Sequence, residues 1–475
     1  MSVNEPSRLK LAVVGHTNTG KTSLLRTLTR NPDFGQVADS PGTTRHVEGV
    51  RLLVDGHPVI ELFDTPGLED GIGLLDYLDQ LAQRSERLDG PDRIRRFLDT
   101  PESQGRFEQE ARVLRKLLDC DAGLYVVDVR DPVLGKYKDE LAILASCGRP
   151  LLPVLNFSHA AKHRGHEWRT ALARLGLHAM VEFDTVAPPL DGETQLYDKL
   201  AMLLDTHAPL LQRVRDDVIR QRAARRDDAY RLVAELLIDA AALRVSALPD
   251  EAGVKAATET LRQRIREREN GCIRALLKRY NFHPDDYPRH PLPLEGERWG
   301  MDLFHPQALK EAGLHVTKGM AAGAMAGAAV DLFTAGMSLG AAALVGATAG
   351  GLWQGVERYG KRVLGRLQGY QELSVDDAVL RLLALRQMTL ADALERRGHA
   401  AQGPIALASA AGDEPSQAGF EDALRTGKLP VQLAEARGTP AWSTLSDDYT
   451  PSVRRDQAVA TLARQLSSHA VASAG

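Results

Sequence analysis

Short apolar runs alternate with stretches of helical spacing in the amino-terminal part of this 475-residue chain. The first run, Arg8–Gly15, precedes a glycine-rich loop, and further near-continuous runs occupy residues 122–129, 150–157 and 179–186. Runs of this kind are typical of central strands that helices cover on both faces. The alternation therefore predicts an α/β fold built on an open, mostly parallel sheet.

The segment Val47–Asp64 contains two strand-like stretches separated by the dipeptide Asp55-Gly56. An Asp-Gly pair between two such stretches is typical of a type I′ turn. The segment therefore predicts a β-hairpin that adds one antiparallel strand to the edge of the sheet.

Helical spacing occurs in an insertion at about residues 72–118 and dominates from about residue 206 onwards. The end of the chain is rich in Ala, Ser, Gly and Pro, which predicts flexibility apart from a helix near Val453–Ser468. The predicted order is an α/β domain at 1–205, a helical domain at 206–315, a Gly/Ala-rich helical hairpin at 316–360, a helical segment at 361–400 and a largely flexible tail at 401–475.

Glycines recur at four-residue steps within residues 319–356, and residues 332–356 contain no charged side chain. Small residues at this spacing let two helices approach closely. Two interpretations remain open. Basic residues on both sides, Lys318 and Arg358, fit a hairpin that inserts into a membrane or rests on its surface. The weakly apolar composition and the short first arm fit a tightly packed hairpin away from a membrane.

Bulk composition narrows the class of protein. Hydrophobic residues make up 43% and charged residues 26% of the chain, which is ordinary for a protein that buries a core. The net charge of −4 does not indicate nucleic-acid binding, and three scattered cysteines are too few for a disulfide framework. The first ten residues lack the apolar run of a secretory signal, so a cytoplasmic location is expected.

The motif "GHTNTGKT" follows the first strand and opens a helix, the context that a phosphate-binding loop needs. Its glycines let the backbone N–H groups face phosphate oxygens, and the helix presents its positive end. The Lys21 ammonium is expected on the β- and γ-phosphates, and the Thr22 hydroxyl on Mg²⁺. The predicted phosphate contacts are Gly15, Asn18, Thr19, Gly20, Lys21, Thr22 and Ser23.

Two further segments complete the expected magnesium site. "DTPG" at the end of a strand places Asp64 to hold the ion through a water, and the Gly67 N–H to contact the γ-phosphate. The polar loop "ADSPGTTRH" offers Thr44, in preference to Thr43, as a ligand that completes the magnesium shell. The alternative is that both threonines are ordinary exposed loop residues.

Together, "GHTNTGKTS", "SPGTTRH" and "DTPG" resemble the translation-factor-related GTPases of the Era and tRNA-modification (MnmE, also called TrmE) group, over about residues 8–187. The resemblance implies a P-loop G domain that binds GTP and GDP and hydrolyses GTP to GDP and phosphate as a conformational switch. It implies catalytic roles for Lys21, Asn18 and Thr44, with Mg²⁺ as cofactor.

The residue after "DTPG" is Leu68, which cannot orient water as the glutamine of Ras-like GTPases does. In the resembled group, an asparagine of the phosphate loop helps to bind K⁺, which supplies the charge of an arginine finger. Asn18 occupies that position, so the resemblance implies potassium-stimulated hydrolysis, aided by pairing of two G domains. The alternative is that Asn18 only caps the loop backbone.

The guanine-reading motif N-K-x-D is replaced by "NFSH". Asn156 is retained, Phe157 is able to stack on a purine, and His159 stands where the carboxylate is expected. Thr185 lies in the loop that faces the base in the resembled group, and Asp184 is a candidate for the missing carboxylate or a plain strand-end residue. Guanine remains the expected base because of the overall resemblance.

Two other functions remain open at this point. One is a membrane-associated nucleotide-binding module with slow hydrolysis, in which residues 319–356 are the functional end. The other is an RNA- or tRNA-modification or ribosome-linked GTPase, which only the resemblance favours. The arginines at 220, 222, 225 and 226 have aspartates at 216, 217, 227 and 228 within helical reach, a pattern more typical of a solvated, salt-bridged helix face than of an RNA contact.

Overall fold

The computed structural model describes residues 8–34, 47–83, 88–283, 286, 302–305, 308–309, 328–330, 371–401, 405 and 429–472. The chain forms two compact units. The first comprises Met1–Ala223 with Glu395–Gly403, and the second comprises Ala224–Leu394 with Pro404–Gly475. The first unit therefore extends beyond the predicted boundary at residue 205 and includes a segment from much later in the chain.

The first unit contains a six-stranded sheet in the order β2-β3-β1-β4-β5-β6. Only β2 is antiparallel to its neighbour, so the predicted mostly parallel α/β sheet is confirmed. Its strands are β1 (Leu9–Val14), β2 (Glu48–Val54), β3 (His57–Asp64), β4 (Ala122–Asp128), β5 (Leu151–Asn156) and β6 (Val181–Glu182).

The hairpin of β2 and β3 turns at Asp55 and Gly56, which have φ angles of 51° and 80°. Both central residues of a type I′ turn need positive φ, and aspartate and glycine tolerate it better than most residues. The predicted hairpin is therefore confirmed together with its turn residues, and it places Asp64 at the carboxyl end of β3 beside β1.

Helices cover both faces of this sheet and bury two apolar clusters, one on each side of β1 and β4. Leu11 and Val13 of β1 belong to one cluster, while Ala12 and Val14 belong to the other. This alternation of side chains along a strand explains why every residue of β1 except the exposed Lys10 is apolar. The covering helices outside the insertion are α1 (Lys21–Thr29), α5 (Gly135–Ala145), α6 (Gly165–Arg174) and α7 (Gly192–Leu203).

The predicted helical insertion contains α2 (Gly71–Gln83), α3 (Gly90–Leu98), a 3-10 turn at Pro101–Gln104 and α4 (Glu108–Leu118). The Asp89 carboxylate caps α3 by accepting the Asp92 N–H at 2.9 Å. Tyr77, Phe97 and Phe107 pack against each other with ring centroids 5.7–6.2 Å apart. This aromatic contact holds the inserted helices together and fixes where α4 begins.

The second unit is mainly helical, as predicted, but it also contains a three-stranded antiparallel sheet in the order β7-β9-β8. The predictions of helix at 371–375 and at 328–330 are therefore wrong, because both segments pair as strands. The remainder of 319–356 lies outside the described residues. The helix α8 (Ala208–Ala242) begins in the first unit, and α10 (Asp377–Arg396) ends in it. The other elements of the second unit are β7 (Val245–Ala247), α9 (Glu251–Arg279), β8 (Ala328–Val330), β9 (Gln371–Val375), α11 (Val431–Gly438) and α12 (Val453–Ala472).

The prediction of a flexible tail at 401–475 is wrong for residues 429–472, although the predicted helix near 453–468 is present as α12. Trp442 and Leu462 are buried in the core of the second unit. The fully buried Asp239 carboxylate accepts hydrogen bonds from Arg455 at 2.8 Å and from the Thr444 hydroxyl at 2.8 Å. Composition underestimated this segment because a few well-placed apolar and charged side chains anchor it.

None of the helices that the structure describes has the length and apolarity needed to cross a membrane. The residues that suggested a membrane hairpin, 319–356, are described only at 328–330, so that interpretation gains no support. The cytoplasmic location stays a prediction.

Candidate nucleotide-binding site

The loop between β1 and α1 has the backbone of a phosphate cradle. Gly15, Asn18 and Gly20 all have positive φ angles, of 143°, 65° and 93°. A Cβ atom would lie 2.6 Å from the Val126 carbonyl oxygen at Gly15 and 2.3 Å from the Asn156 amide nitrogen at Gly20. Both glycines are therefore required. No side chain caps α1, which leaves its first N–H groups available for an anion.

The Lys21 side chain is buried and folds back over this loop. Its ammonium donates to the carbonyl oxygens of Gly15 at 3.1 Å and His16 at 2.7 Å. Burial lowers the pKa of Lys21 to about 8, and the nearby Asp64 carboxylate is the strongest charge that opposes this shift. A phosphate bound in the cradle would also raise the pKa of Lys21, because its negative charge stabilises the ammonium. The buried ammonium therefore favours binding of an anion.

Thr22 and Asp64, predicted as magnesium ligands, are brought together from 42 residues apart. The Thr22 hydroxyl donates to Asp64 Oδ2 at 2.5 Å, and Asp64 Oδ1 is buried without a hydrogen-bond partner among the described residues. Burial raises the pKa of Asp64 to about 6, while the Thr22 hydrogen bond lowers it. A buried oxygen in need of a partner beside a hydroxyl fits Mg²⁺, which combines few protein oxygens with water and phosphates.

Thr44, the third predicted magnesium ligand, lies outside the described residues. Within the described residues no group of three or more His, Cys, Asp and Glu side chains is positioned to hold a metal ion. In a magnesium site of the kind predicted here, the phosphates of the nucleotide would supply the remaining oxygens, so Thr22 and Asp64 alone would suffice as protein ligands.

The segment after Asp64 lies against the phosphate loop. The Thr65 hydroxyl donates to the Val13 carbonyl at 2.7 Å, and the Leu68 N–H donates to the Gly15 carbonyl at 3.4 Å. A Cβ atom at Gly67 would lie 2.6 Å from the Thr17 Cα. Only glycine fits here, packed against Thr17 of the phosphate loop. The contact of its N–H with the γ-phosphate stays a prediction.

Asn18 is exposed at the tip of the loop. Its side chain makes no hydrogen bond to any residue in the described ranges, so capping of the loop backbone is not observed there. Asparagine adopts its positive φ more readily than most residues, which is a second reason for its presence. The Asn18 amide therefore faces solvent at the position where the resemblance places a potassium ligand.

Asn156 is fully buried and ties three loops together. Its amide group donates to the Thr19 carbonyl at 2.9 Å, and its Oδ1 accepts from the N–H groups of Phe157 and Thr185, both at 2.9 Å. The predicted base contacts Asn156, Phe157 and Thr185 are thus neighbours. The role that the geometry shows for Asn156 is to join the base loops to the phosphate loop.

Phe157 has a φ of 61°, and the Arg130 guanidinium lies 3.8 Å from its ring centroid. Arg130 is held in place by two-pronged hydrogen bonds to the Asp128 carboxylate, the shorter at 2.6 Å. The side chain of Phe157 replaces the family lysine and stacks under an arginine. The sequence analysis missed Arg130, whose only signal is its place just after β4.

The Asp184 carboxylate accepts hydrogen bonds from three backbone N–H groups. Its Oδ2 accepts the His159 N–H at 3.1 Å, and its Oδ1 accepts the N–H groups of Val186 at 2.9 Å and Ala187 at 3.2 Å. A carboxylate that is buried and bound by three backbone donors is committed to shaping its own loop. These hydrogen bonds favour the simpler interpretation of Asp184, a strand-end residue, over a base-reading carboxylate.

A segment from the carboxyl-terminal half of the chain, Glu395–Gly403, belongs to the same compact unit and touches this loop. The Gly398 N–H donates to the Val186 carbonyl at 2.9 Å. A Cβ atom at Gly398 would lie 1.9 Å from the Thr185 carbonyl oxygen. Sequence reasoning missed this contact, because nothing near Gly398 in the chain marks it as part of a nucleotide site.

Comparison with protein-family models decides the class. Residues 10–157 match the family described as 50S ribosome-binding GTPase, and residues 169–464 match a domain of unknown function, DUF3482. The chain is a P-loop GTPase of the DUF3482 family. The predicted resemblance and the predicted enzyme class, a GTP hydrolase that binds guanine nucleotides, are confirmed.

Individual relatives agree with this assignment. The GTPase is 31% identical over 179 residues to the probable GTP-binding protein EngB of Oleidesulfovibrio alaskensis, which covers 36% of this chain and 67% of that protein. It is 48% identical over 62 residues to the tRNA modification GTPase MnmE of a Picosynechococcus species. The second match covers only 13% of either chain, so tRNA modification remains a property of that relative.

Among solved structures, Era in complex with MgGDPNP and a fragment of 16S ribosomal RNA is similar at 15% identity. The match covers 37% of this chain and 50% of Era, with a TM-score of 0.27. The family assignment rests on the family models and on the EngB relative instead.

Proposed function

We propose that this GTPase hydrolyses GTP with the help of Mg²⁺ and changes conformation between its GTP and GDP states. The observation that supports this most is the Thr22–Asp64 pair beside the Lys21 cradle, with one buried Asp64 oxygen that has no partner among the described residues. Loss of the γ-phosphate would remove the contact predicted for the Gly67 N–H, which supplies the energy difference between the two states.

The phosphate half of the site consists of the loop Gly15–Ser23 and the segment Asp64–Gly67, and its residues have separate tasks in this proposal. The backbone of Gly15–Gly20 and the start of α1 bind the phosphates, and Lys21 places its positive charge on them. Thr22 and Asp64 would hold Mg²⁺, which when bound neutralises charge on the β- and γ-phosphates. Asn156 keeps the phosphate loop in register with the base loops through Thr19.

The proposal is tested by single-turnover hydrolysis of GTP by the wild type and by Lys21→Ala. We expect hydrolysis by the wild type and none by the variant. Hydrogen exchange of residues 35–46 and 67–70 in complexes with GDP and with a non-hydrolysable GTP analogue then tests the switch. Equal exchange in the two complexes would contradict a conformational change.

We further propose that Asn18 contributes to a K⁺ site that accelerates hydrolysis, with pairing of two G domains around it. Its exposed amide, free of hydrogen bonds to described residues, supports this. Asn18→Gly keeps the positive φ and removes only the amide, so it separates the two roles of this residue. We expect faster turnover in KCl than in NaCl for the wild type and no difference for Asn18→Gly. Equal wild-type rates in both salts would refute the potassium site.

Pairing of G domains is measured separately, by sedimentation with GDP, aluminium fluoride and KCl. We expect a dimer of the wild type in KCl and a monomer in NaCl. A monomer in both salts would contradict the pairing.

A further inference from the structure

The residue that follows "DTPG" contributes no polar group to the site. Leu68 is fully buried in the apolar cluster that includes Leu74 of α2 and Phe97 of α3. An attacking water needs a group that accepts its hydrogen bond and holds its lone pair toward the γ-phosphorus. Burial of Leu68 means that position 68 does not supply this group.

The first turn of α4 holds the segment Gly67–Asp70 with two adjacent side chains. The Gln109 amide donates to the Gly67 carbonyl at 2.6 Å. Glu110 Oε1 accepts the N–H groups of Glu69 at 3.1 Å and Asp70 at 3.0 Å. These three hydrogen bonds fix the segment relative to the inserted helices.

The two side chains differ in what they leave available. Glu110 is buried, and its carboxylate serves as an anchor for backbone N–H groups. Gln109 is half-buried and makes only the hydrogen bond to Gly67 among the described residues. Its carbonyl oxygen and second N–H are therefore available, on a side chain that its own hydrogen bond already orients.

The position of Gly67 brings the Gln109 amide close to the reaction. Gly67 packs on Thr17 of the phosphate loop, and its N–H is the group predicted to contact the γ-phosphate. Gln109 is hydrogen-bonded to the carbonyl of that same residue, although it follows Gly67 by 42 positions in the sequence. The inserted helices thus bring a side-chain amide to the residue that directly precedes Leu68.

We propose that Gln109 is the residue that positions the attacking water, supplied by the helical insertion in place of a glutamine at position 68. The inference rests on the GTP hydrolysis proposed above. The water oxygen bonds to the γ-phosphorus while the bond to the β–γ bridging oxygen breaks, and the water proton leaves on the inorganic phosphate. Gln109 accepts a hydrogen bond from the water and is unchanged by the reaction.

The test compares Gln109→Ala with Gln104→Ala, which changes an exposed glutamine of the neighbouring 3-10 turn. Single-turnover GTP hydrolysis, the Kd of a fluorescent GDP and the melting temperature are measured for each. Groups that position a reacting water typically contribute on the order of 100-fold to the rate. We expect about that loss of the single-turnover rate constant in Gln109→Ala, with the GDP Kd and melting temperature close to wild type and all three values unchanged in Gln104→Ala.

Glu110→Gln adds a second check, because its amide oxygen still accepts both backbone N–H groups. We expect it to retain most of the wild-type rate. Hydrolysis by Gln109→Ala within threefold of wild type would overturn the role of Gln109 and leave the GTPase function intact. A slower rate accompanied by weaker GDP binding and a lower melting temperature would show that Gln109 has only a structural role. A wild type that hydrolyses no GTP would refute the proposed function and this inference with it.

Discussion

The base half of the nucleotide site consists of Asn156–His159 and Asp184–Ala187. It differs from the phosphate half in whether its buried polar atoms have hydrogen-bond partners. In the phosphate half, Asp64 Oδ1 and the Thr17 hydroxyl are buried without partners among the described residues. In the base half, the buried Asn156 and Asp184 side chains are hydrogen-bonded to backbone groups of the surrounding loops. Buried polar groups without partners are costly, so the phosphate half is stabilised by its ligand and the base half is largely stabilised by itself.

This difference indicates where nucleotide affinity comes from. The phosphate half combines the buried Lys21 ammonium, the start of a helix and the Thr22–Asp64 pair proposed to hold Mg²⁺. Together they favour a strongly charged ligand. In the described part of the base half, Thr185 Oγ1 is the buried oxygen without a partner, and the carboxylates of Asp128 and Asp184 are occupied. We therefore expect phosphates to dominate binding and the base to refine it.

The largest expected effect is in the phosphate half. Lys21→Ala removes the ammonium that the cradle buries, and we expect GDP affinity to fall roughly 100-fold or more, since a charge-assisted contact to phosphate is lost. Titration of a fluorescent GDP measures this, with the exposed Lys10→Ala as the control. A loss of less than tenfold would mean that the backbone alone dominates phosphate binding.

The next effect is in the base half. Gly398→Ala places a Cβ where the Thr185 carbonyl oxygen lies, so we expect a loss of about 1–3 kcal/mol in unfolding free energy and weaker GDP binding. Urea denaturation and GDP titration measure both. Gly271→Ala, in an open position within α9, should be neutral or stabilising. Unchanged stability of Gly398→Ala would show that the contact with Thr185 yields easily.

A smaller effect tests how the base is read. The carboxylates of Asp128 and Asp184 already accept hydrogen bonds, from Arg130 and from backbone N–H groups respectively. We infer that neither one reads the 2-amino group of guanine. We expect GDP and IDP, which differ by that amino group, to bind within about threefold of each other. Competition titrations measure this preference. A 100-fold preference for GDP would contradict the conclusion that the phosphate half supplies most of the affinity.

The smallest effect is a change of protonation on binding. Burial lowers the pKa of Lys21 to about 8, and bound phosphates raise it, so binding of magnesium-GDP at pH 8.5 should take up part of a proton. Burial raises the pKa of Asp64 to about 6, and a bound cation lowers it, so binding at pH 5.5 should release protons. Calorimetry in buffers of different ionisation enthalpy measures both signs.

Two variants assign these protons. Lys21→Met should abolish the uptake at pH 8.5, and Asp64→Asn should reduce the release at pH 5.5 to the part that the nucleotide itself contributes. Uptake that persists in Lys21→Met would assign it to another group.

The sequence alone predicted the phosphate half well because its requirements are local. The phosphate loop needs positive φ at Gly15 and Gly20, followed by a lysine and a threonine that open the next helix. The hairpin needs only Asp55-Gly56 at its turn. Each of these signals lies within a few consecutive residues. The order of apolar runs then predicted the sheet, which brought Asp64 to Thr22. Composition was a poorer guide for residues 429–472, since the buried Asp239 and Trp442 anchor them through contacts distant in sequence.

Only the tertiary structure decided which polar atoms of the base half are already hydrogen-bonded and which side chains distant in sequence reach the site. Gln109, Glu110 and Gly398 are ordinary residues in their own segments, and they acquire their roles from hydrogen bonds to Gly67–Asp70 and Val186. Such bonds depend on how helices and loops pack after the chain has folded. A local motif specifies the backbone that holds phosphate, whereas packing specifies the side chains that surround it.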